Sequence, residues 1–212
     1  MLERINQQGN KLISEACTEM LEVIKEKKKK SSPITVAEIG VGVGATANEV
    51  IKLLDESDNY YMFSFDNDVI ELEKDLKQKD YCKTNLYACG NTRKKYDSYA
   101  WSLAKLYNKQ SFDIVYLDGA HTFLHDGITC CLLKKMIKKN GIIILDDIDW
   151  SFSKSRTTNP KKNPAILDWL TQEQIESCQV ALVEDIFMKD DKNWKYIKDI
   201  SSKHRSVYKR IH

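Results

Sequence analysis

The sequence predicts an α/β fold: a mostly parallel sheet with an antiparallel C-terminal hairpin and helices on both faces. Three observations point there. Short apolar runs recur between amphipathic stretches, a glycine-rich turn follows the first run, and the fourth and fifth runs end in carboxylates. A strand that returns parallel to its predecessor needs a crossover, and a helix is the usual one.

Before the first run, Leu2, Ile5, Leu12, Ile13, Cys17, Met20, Leu21 and Ile24 form one helical stripe broken only by Gly9. Lysines and Pro33 in KEKKKKSSP end that helix in a solvated hinge. ITVAEIG (34–40) then reads as a buried strand, 45–54 as a helix and NYYMFSFD (59–66) as the second strand. VIELEKDLKQ (69–78) is an amphipathic helix, TNLYAC (84–89) a third strand and 96–107 another helix. FDIVYLD (112–118) gives strand four, 124–137 a helix and GIIILDD (141–147) strand five. After Trp150 the regularity breaks: SFSKSRTTNPKKNP (151–164) is a polar, basic connection long enough for a binding loop or lid. A short helix over 165–176 leads to QVALVEDIF (179–187) and NWKYIKDIS (193–201), read as an antiparallel hairpin. The expected partition is an N-terminal helical cap over 1–32, one domain over 33–202 and a basic tail over 203–212 that frays.

Composition narrows the functional classes. With 42% hydrophobic and 30% charged residues the chain can bury a core, which excludes a disordered protein. A net charge of +2 gives no general footprint for nucleic acid, and the local clusters, KKKK at 27–30 and Lys161-Lys162, read as solvated charge. The six cysteines show no CxxC pairing and fall mostly in apolar runs, as reduced thiols in a cytoplasmic protein do. No apolar stretch reaches membrane-spanning length.

EIGVGVGATA (38–47) places three alternating glycines where strand one turns into a helix. Gly40 permits a tight turn, and Gly42 and Gly44 let a ligand approach backbone amides. Asp66, 26 residues after Gly40, ends strand two, where a carboxylate can accept both hydroxyls of a ribose. The same glycines also satisfy G-x-G-x-x-A, the dinucleotide pattern, so spacing alone leaves the nucleoside open. Glu38-Ile39-Gly40-Val41-Gly42-Val43-Gly44 resembles motif I of the class I S-adenosylmethionine-dependent methyltransferases, and Asp66 resembles their ribose-binding acid. The resemblance covers roughly residues 34–200 and implies a Rossmann-like, seven-stranded methyltransferase sheet. It also implies cofactor-binding roles for Glu38, Gly40, Gly42, Gly44, Asp66 and Asp118, and for Gly90 and Asn91 at the adenine end.

Asp118 ends strand four, and Asp146 and Asp147 end strand five. In an open α/β sheet those ends share a rim with the glycine loop, and gathered carboxylates are most simply relieved by a hard divalent cation, Mg²⁺ foremost. The same aspartates also suit caps and an Asp-Gly turn. Asp118-Gly119-Ala120-His121 with Asp146-Asp147 resembles the cation-dependent O-methyltransferases that modify sugars and natural products. The resemblance implies Asp118, Asp146 and Asp147 as metal ligands and His121 as general base, with Asp118 beside it in the catalytic pair; His125 is a second choice and Asp149 a spare ligand. Catechol-type enzymes carry Asp-Asn after strand five, which this chain lacks.

The implied activity is methyl transfer from S-adenosylmethionine to a hydroxyl of a saccharide, sugar phosphate or small secondary metabolite. Lys154, Arg156, Lys161 and Lys162 suit an anionic acceptor, Trp150 suits stacking on a ring, and Trp101 and Tyr107 suit the core. A homodimer is left open. Two other classes stay in view: an NAD-dependent oxidoreductase and a nucleoside-binding protein without turnover.

Overall fold

The five runs read as strands between residues 34 and 147 all become strands, each short and rich in β-branched, aromatic or other apolar residues. The computed structural model describes residues 15–65, 68–91 and 97–212. In chain order these form helix α1 (Thr18–Lys28), strand β1 (Thr35–Ile39), α2 (Ala45–Val50), β2 (Asn59–Ser64), α3 (Asp68–Lys77), β3 (Asn85–Gly90) and α4 (Tyr99–Leu106). There follow β4 (Phe112–Leu117), α5 (Phe123–Met136), β5 (Ile137–Leu145), α6 (Gln172–Glu176), α7 (Gln179–Glu184), β6 (Trp194–Tyr196) and β7 (Ser206–Arg210). Of the N-terminal stripe, Leu2, Ile5, Gly9, Leu12 and Ile13 lie outside the described residues.

One sheet has the order β3-β2-β1-β4-β5-β7-β6. Strands β1 to β5 are parallel, and β7 runs antiparallel to both β5 and β6. Order reverses between β1 and β4, which places a crevice beyond their carboxyl ends. Period-two alternation divides the core into two layers. Val36, Tyr60, Met62, Ile114, Tyr116, Ile144 and Val207 face α1, α2 and α3 with Met20, Ile24, Val50 and Leu72. Ala37, Phe63, Val115, Ile143 and Tyr208 face the opposite layer with Leu103, Leu133 and Val183. Helix α1 is therefore core structure along its described length.

Three expectations fail near the C-terminus. Residues 179–187 are α7 followed by a π-helical turn over Asp185–Lys189, not a strand. Val180 and Val183, with Met188 just beyond, enter the core while Leu182 and Ile186 stay exposed, a pattern that short runs share between helix and strand. The hairpin joins β6 to β7 instead, with Trp194 opposite Arg210. The supposed fraying tail thus supplies the strand inserted between β5 and β6, and the sheet extends beyond residue 202. Trp101 and Tyr107 also depart from expectation, being 59% and 40% exposed. All six cysteines are free thiols; Cys17 and Cys130 are buried and the others partly so.

Tyr208 is 3% exposed, and its hydroxyl donates to Glu184 Oε1 at 2.6 Å, tying β7 to α7. Tyr208→Ala should lower the free energy of unfolding by about 3 kcal/mol or more, measured by urea denaturation. A frayed tail would tolerate the same change within about 0.5 kcal/mol.

Candidate active site

The alternation that divides the core also assembles the site. Glu38 on β1, Tyr116 on β4, Asp118 and Asp146 just past β4 and β5, and Arg205 just before β7 all share the parity of the layer that faces α1. Together with Gly40, Gly42, Thr46, His121 and Asp147 they line a cleft of about 510 Å³ at the carboxyl ends of the strands. That volume lies in the range of small-ligand pockets.

The glycine loop forms the cleft's first wall. Gly40 has φ +90°, and a Cβ there would lie 1.7 Å from the Asp118 carbonyl oxygen. Asp118 N–H donates to Ile39 O at 2.9 Å, so β1 and β4 stay in backbone contact up to the point where they part. Gly42 has φ +53°, and a Cβ there would meet nothing within 4 Å; it would project into the space that a ligand lying on the loop needs. Gly44, at the start of α2, packs against the side chain of Leu72. Backbone laid bare in this way fits a nucleoside cofactor.

The acidic residues form the second wall. His121 Nε2 lies 3.8 Å from Asp118 Oδ1, and its Nδ1 lies 3.5 Å from Asp147 Oδ2. Asp118, His121 and Asp147 each offer one ligand atom within 4.8 Å of the others. The two carboxylates of this set fit a hard divalent cation, and the imidazole stands beside them. His121 and Asp147 both hold left-handed backbone, at φ 55° and 56°, a strained conformation that clusters at functional sites. The turn carrying His121 is pinned from below: Asp126, 1% exposed, accepts from Ala120 N–H at 3.0 Å, and Thr122 caps α5.

Asp146 is engaged differently. Its Oδ2 accepts from the Tyr116 hydroxyl, which also lies 3.3 Å from Asp118 Oδ2. Its Oδ1 accepts from Asp147 N–H at 2.8 Å and sits 3.0 Å from Arg205 Nε. That last contact is an ion pair without hydrogen-bond alignment. Arg205 extends on to Glu19 of α1, with Nη1 donating to Oε2 at 3.0 Å.

Recession into the protein raises the Asp118 carboxyl well above the carboxylate range, and the charges of Asp146, Asp147 and Glu38 raise it further, although 31% of the side chain is accessible. Burial also raises Asp147, against the pull of His121. Glu38, 2% exposed, is pushed up to about 8 by burial, opposed by a hydrogen bond from the Tyr60 hydroxyl.

The structure therefore gathers Glu38, Gly40, Gly42, Asp118, His121, Asp146 and Asp147 in one cleft and puts the described third-strand residues elsewhere. Asp66 and Thr92 lie outside the described residues. Gly90 ends β3 and Asn91 donates to Ser102 Oγ at 2.7 Å; neither is in the cleft lining among the described residues. His125 turns its ring edge-on to Phe65. Asp149 pairs with His204 at 2.7 Å and Lys203 at 3.7 Å. Trp150 packs against His121 at 4.9 Å between ring centres and against Phe152, so it props the histidine. Tyr116 and Arg205 are the additions. Tyr116 was legible from its parity with Asp118, whereas Arg205 carried no signal, because its strand was read as tail.

The model of a methyltransferase domain family matches residues 37–148, from β1 to just past β5. The chain belongs to that methyltransferase family. Its enzyme class is S-adenosylmethionine-dependent methyl transfer, which removes the oxidoreductase alternative. No curated protein matches the chain significantly in sequence. Among solved structures, the methyltransferase is similar to a Klebsiella pneumoniae protein provisionally described as an O-methyltransferase, at 10% identity and TM-score 0.62, over 100% of this chain and 90% of the other. A Staphylococcus aureus protein provisionally described as a caffeoyl-CoA O-methyltransferase gives 12% identity and TM-score 0.59, over 99% and 91%. MycE, a methyltransferase of mycinamycin biosynthesis solved with Mg and SAH, gives 14% and 0.54, over 90% of this chain and 48% of its own. At these identities the likeness is one of fold. Among the described residues no helix of the methyltransferase is long and apolar enough to cross a membrane.

Two outcomes test this geometry. Gly42→Ala should cost about 1–2 kcal/mol of left-handed strain and weaken S-adenosylhomocysteine binding; Gly40→Ala, which must also displace the Asp118 carbonyl, should lower the melting temperature further. Thermal melts with and without S-adenosylhomocysteine read both. Glu38 supplies a pH test. Its folded carboxyl titrates near 8 against an ordinary 4.5, so the stabilisation from its bound proton is complete below 4.5 and is lost as pH rises towards 8. Wild-type stability should fall across that window relative to Glu38→Gln in denaturant titrations at successive pH values.

Proposed function

We propose that this methyltransferase acts on oxygen, moving the methyl group of S-adenosylmethionine to a hydroxyl of a saccharide, sugar phosphate or small secondary metabolite, with a divalent cation, Mg²⁺ first among candidates. The observation that carries the reading is the convergence of Asp118, His121 and Asp147 beside the glycine loop. A sulfonium methyl is already electrophilic, so the protein's task is alignment and removal of the acceptor's proton. Gly40 and Gly42 leave backbone for the cofactor to lie against, and Glu38 faces the same cleft from β1.

Asp118 and Asp147 would hold the cation, which when bound lowers the pKa of a coordinated hydroxyl. His121 is the general base. Asp147 faces Nδ1 and favours the proton there, leaving Nε2, on the Asp118 side, to accept the acceptor's proton. Trp150 fixes the imidazole plane. The stretch after Trp150, gathered around Phe152, Ile166 and Ile175, would form the acceptor-side cover, with Lys154, Arg156, Lys161 and Lys162 suited to an anionic acceptor.

An assay of labelled methyl transfer over sugars, sugar phosphates and small phenols tests the proposal. A saccharide product that requires Mg²⁺ is expected, with chelation abolishing turnover. His121→Ala should lower kcat by about 100-fold or more while S-adenosylhomocysteine affinity is kept. Turnover undiminished by chelator would remove the cation from the mechanism, and an unimpaired His121→Ala would remove the base. Binding of S-adenosylhomocysteine with no transfer to any acceptor class would favour a nucleoside-binding protein.

A further inference from the structure

Arg205 lies outside the segment matched by the methyltransferase family, yet it reaches the acidic turn at the heart of the cleft. It stands at the entrance to β7, with 21% of its side chain exposed. Its guanidinium spans two elements: Nη1 donates to Glu19 Oε2 at 3.0 Å, and Nε pairs with Asp146 Oδ1 at 3.0 Å. The hydrogen bond to Glu19 fixes the guanidinium, and charge attraction sets its other edge against Asp146.

Both oxygens of Asp146 are thereby engaged by protein groups. Arg205 and Asp147 N–H share Oδ1, and the Tyr116 hydroxyl takes Oδ2. It is also absent from the set whose ligand atoms come within 4.8 Å of one another, although Asp147 beside it belongs to that set. The bond from Asp147 N–H to Asp146 Oδ1 closes the turn in which Asp147 adopts φ 56°. That conformation faces Asp147 towards His121, while Asp146 stays in the layer of Tyr116 and Arg205. With Arg205 facing Asp146, the carboxylates of the turn and of β4 that remain without a guanidinium partner are Asp147 and Asp118, the two within reach of a shared cation.

We propose that Arg205 is a positioning residue: it keeps Asp146 as an anchor outside the cation's coordination sphere and, through it, holds the turn that presents Asp147 to Asp118 and His121. This rests on the cation reading above. It differs from the ligand set expected from sequence, in which Asp146 and Asp147 bind alike.

Mn²⁺ titrations of the full chain, followed by electron paramagnetic resonance of the free ion, test it, with the thermal shift given by S-adenosylhomocysteine as a folding control. Asp147→Asn should lose Mn²⁺ binding by more than about 100-fold, beyond the range of an outer-shell change. Asp146→Asn should weaken it by only about tenfold, as should Arg205→Met, and the double variant should be no worse than either single one. Arg205→Lys, which keeps charge but not the fork, should fall between wild type and Arg205→Met, and serves if the methionine variant does not fold. If Asp146→Asn abolishes Mn²⁺ binding as Asp147→Asn does, while Arg205→Met leaves it unchanged, Asp146 is a ligand and the proposal fails. If the wild-type chain binds S-adenosylhomocysteine but no Mn²⁺, the cation reading itself fails and this one with it.

Discussion

Backbone contact between the ends of β1 and β4 is the constraint from which the rest of the site follows. The two strands remain hydrogen-bonded until Ile39 and Asp118, and Gly40 then turns away so close to the Asp118 carbonyl that no side chain fits between them. Because strand order reverses at this place, one chain segment leaves upward as the glycine loop and the other as the turn bearing His121. Cofactor wall and acidic wall are therefore set at a fixed separation by main-chain geometry, before any side chain contributes.

The second determinant is alternation. Side chains two residues apart on a strand share a face, so Tyr116 and Asp118, or Ile144 and Asp146, belong to the same layer. That layer is otherwise apolar, and it is closed by α1. Charges gathered at its upper margin are consequently poorly solvated, which is why burial heads the causes that raise both Asp118 and Glu38. The strained residues His121 and Asp147 stand opposite each other across this margin. The buried carboxylate of Asp126 holds the turn of one, and Asp146 holds the turn of the other.

Much of this was legible in the amino-acid order. Strands β1 to β5 announce themselves by short β-branched or aromatic runs closed by turns. The glycine loop and the acids at strand ends follow from where those runs stop. Apart from the exposure of Trp101 and Tyr107, what was not legible lies beyond residue 176. QVALVEDIF is short and mostly apolar, and periodicity cannot separate a helix of that length from a buried strand. SVYKR sits between basic residues and looks like solvated tail, although Val207 and Tyr208 are buried on opposite faces of the sheet. Misplacing that one strand hid Arg205 and with it the difference between Asp146 and Asp147. Neighbouring identical residues carry no sign of their different surroundings; the guanidinium that faces Asp146 arrives from 59 positions away.

The insertion of β7 between β5 and β6 bears on how the chain is made. During synthesis the five parallel strands are complete long before residues 206–210 leave the ribosome, while the three-residue β6 pairs only with β7. Without β7 the sheet has an open edge along β5 and the rim lacks the guanidinium that faces Asp146. Closing that edge and compensating Asp146 are a single event, because the residue preceding the last strand is Arg205. Pairing of β7 with β5 thus completes the sheet and the acidic rim together.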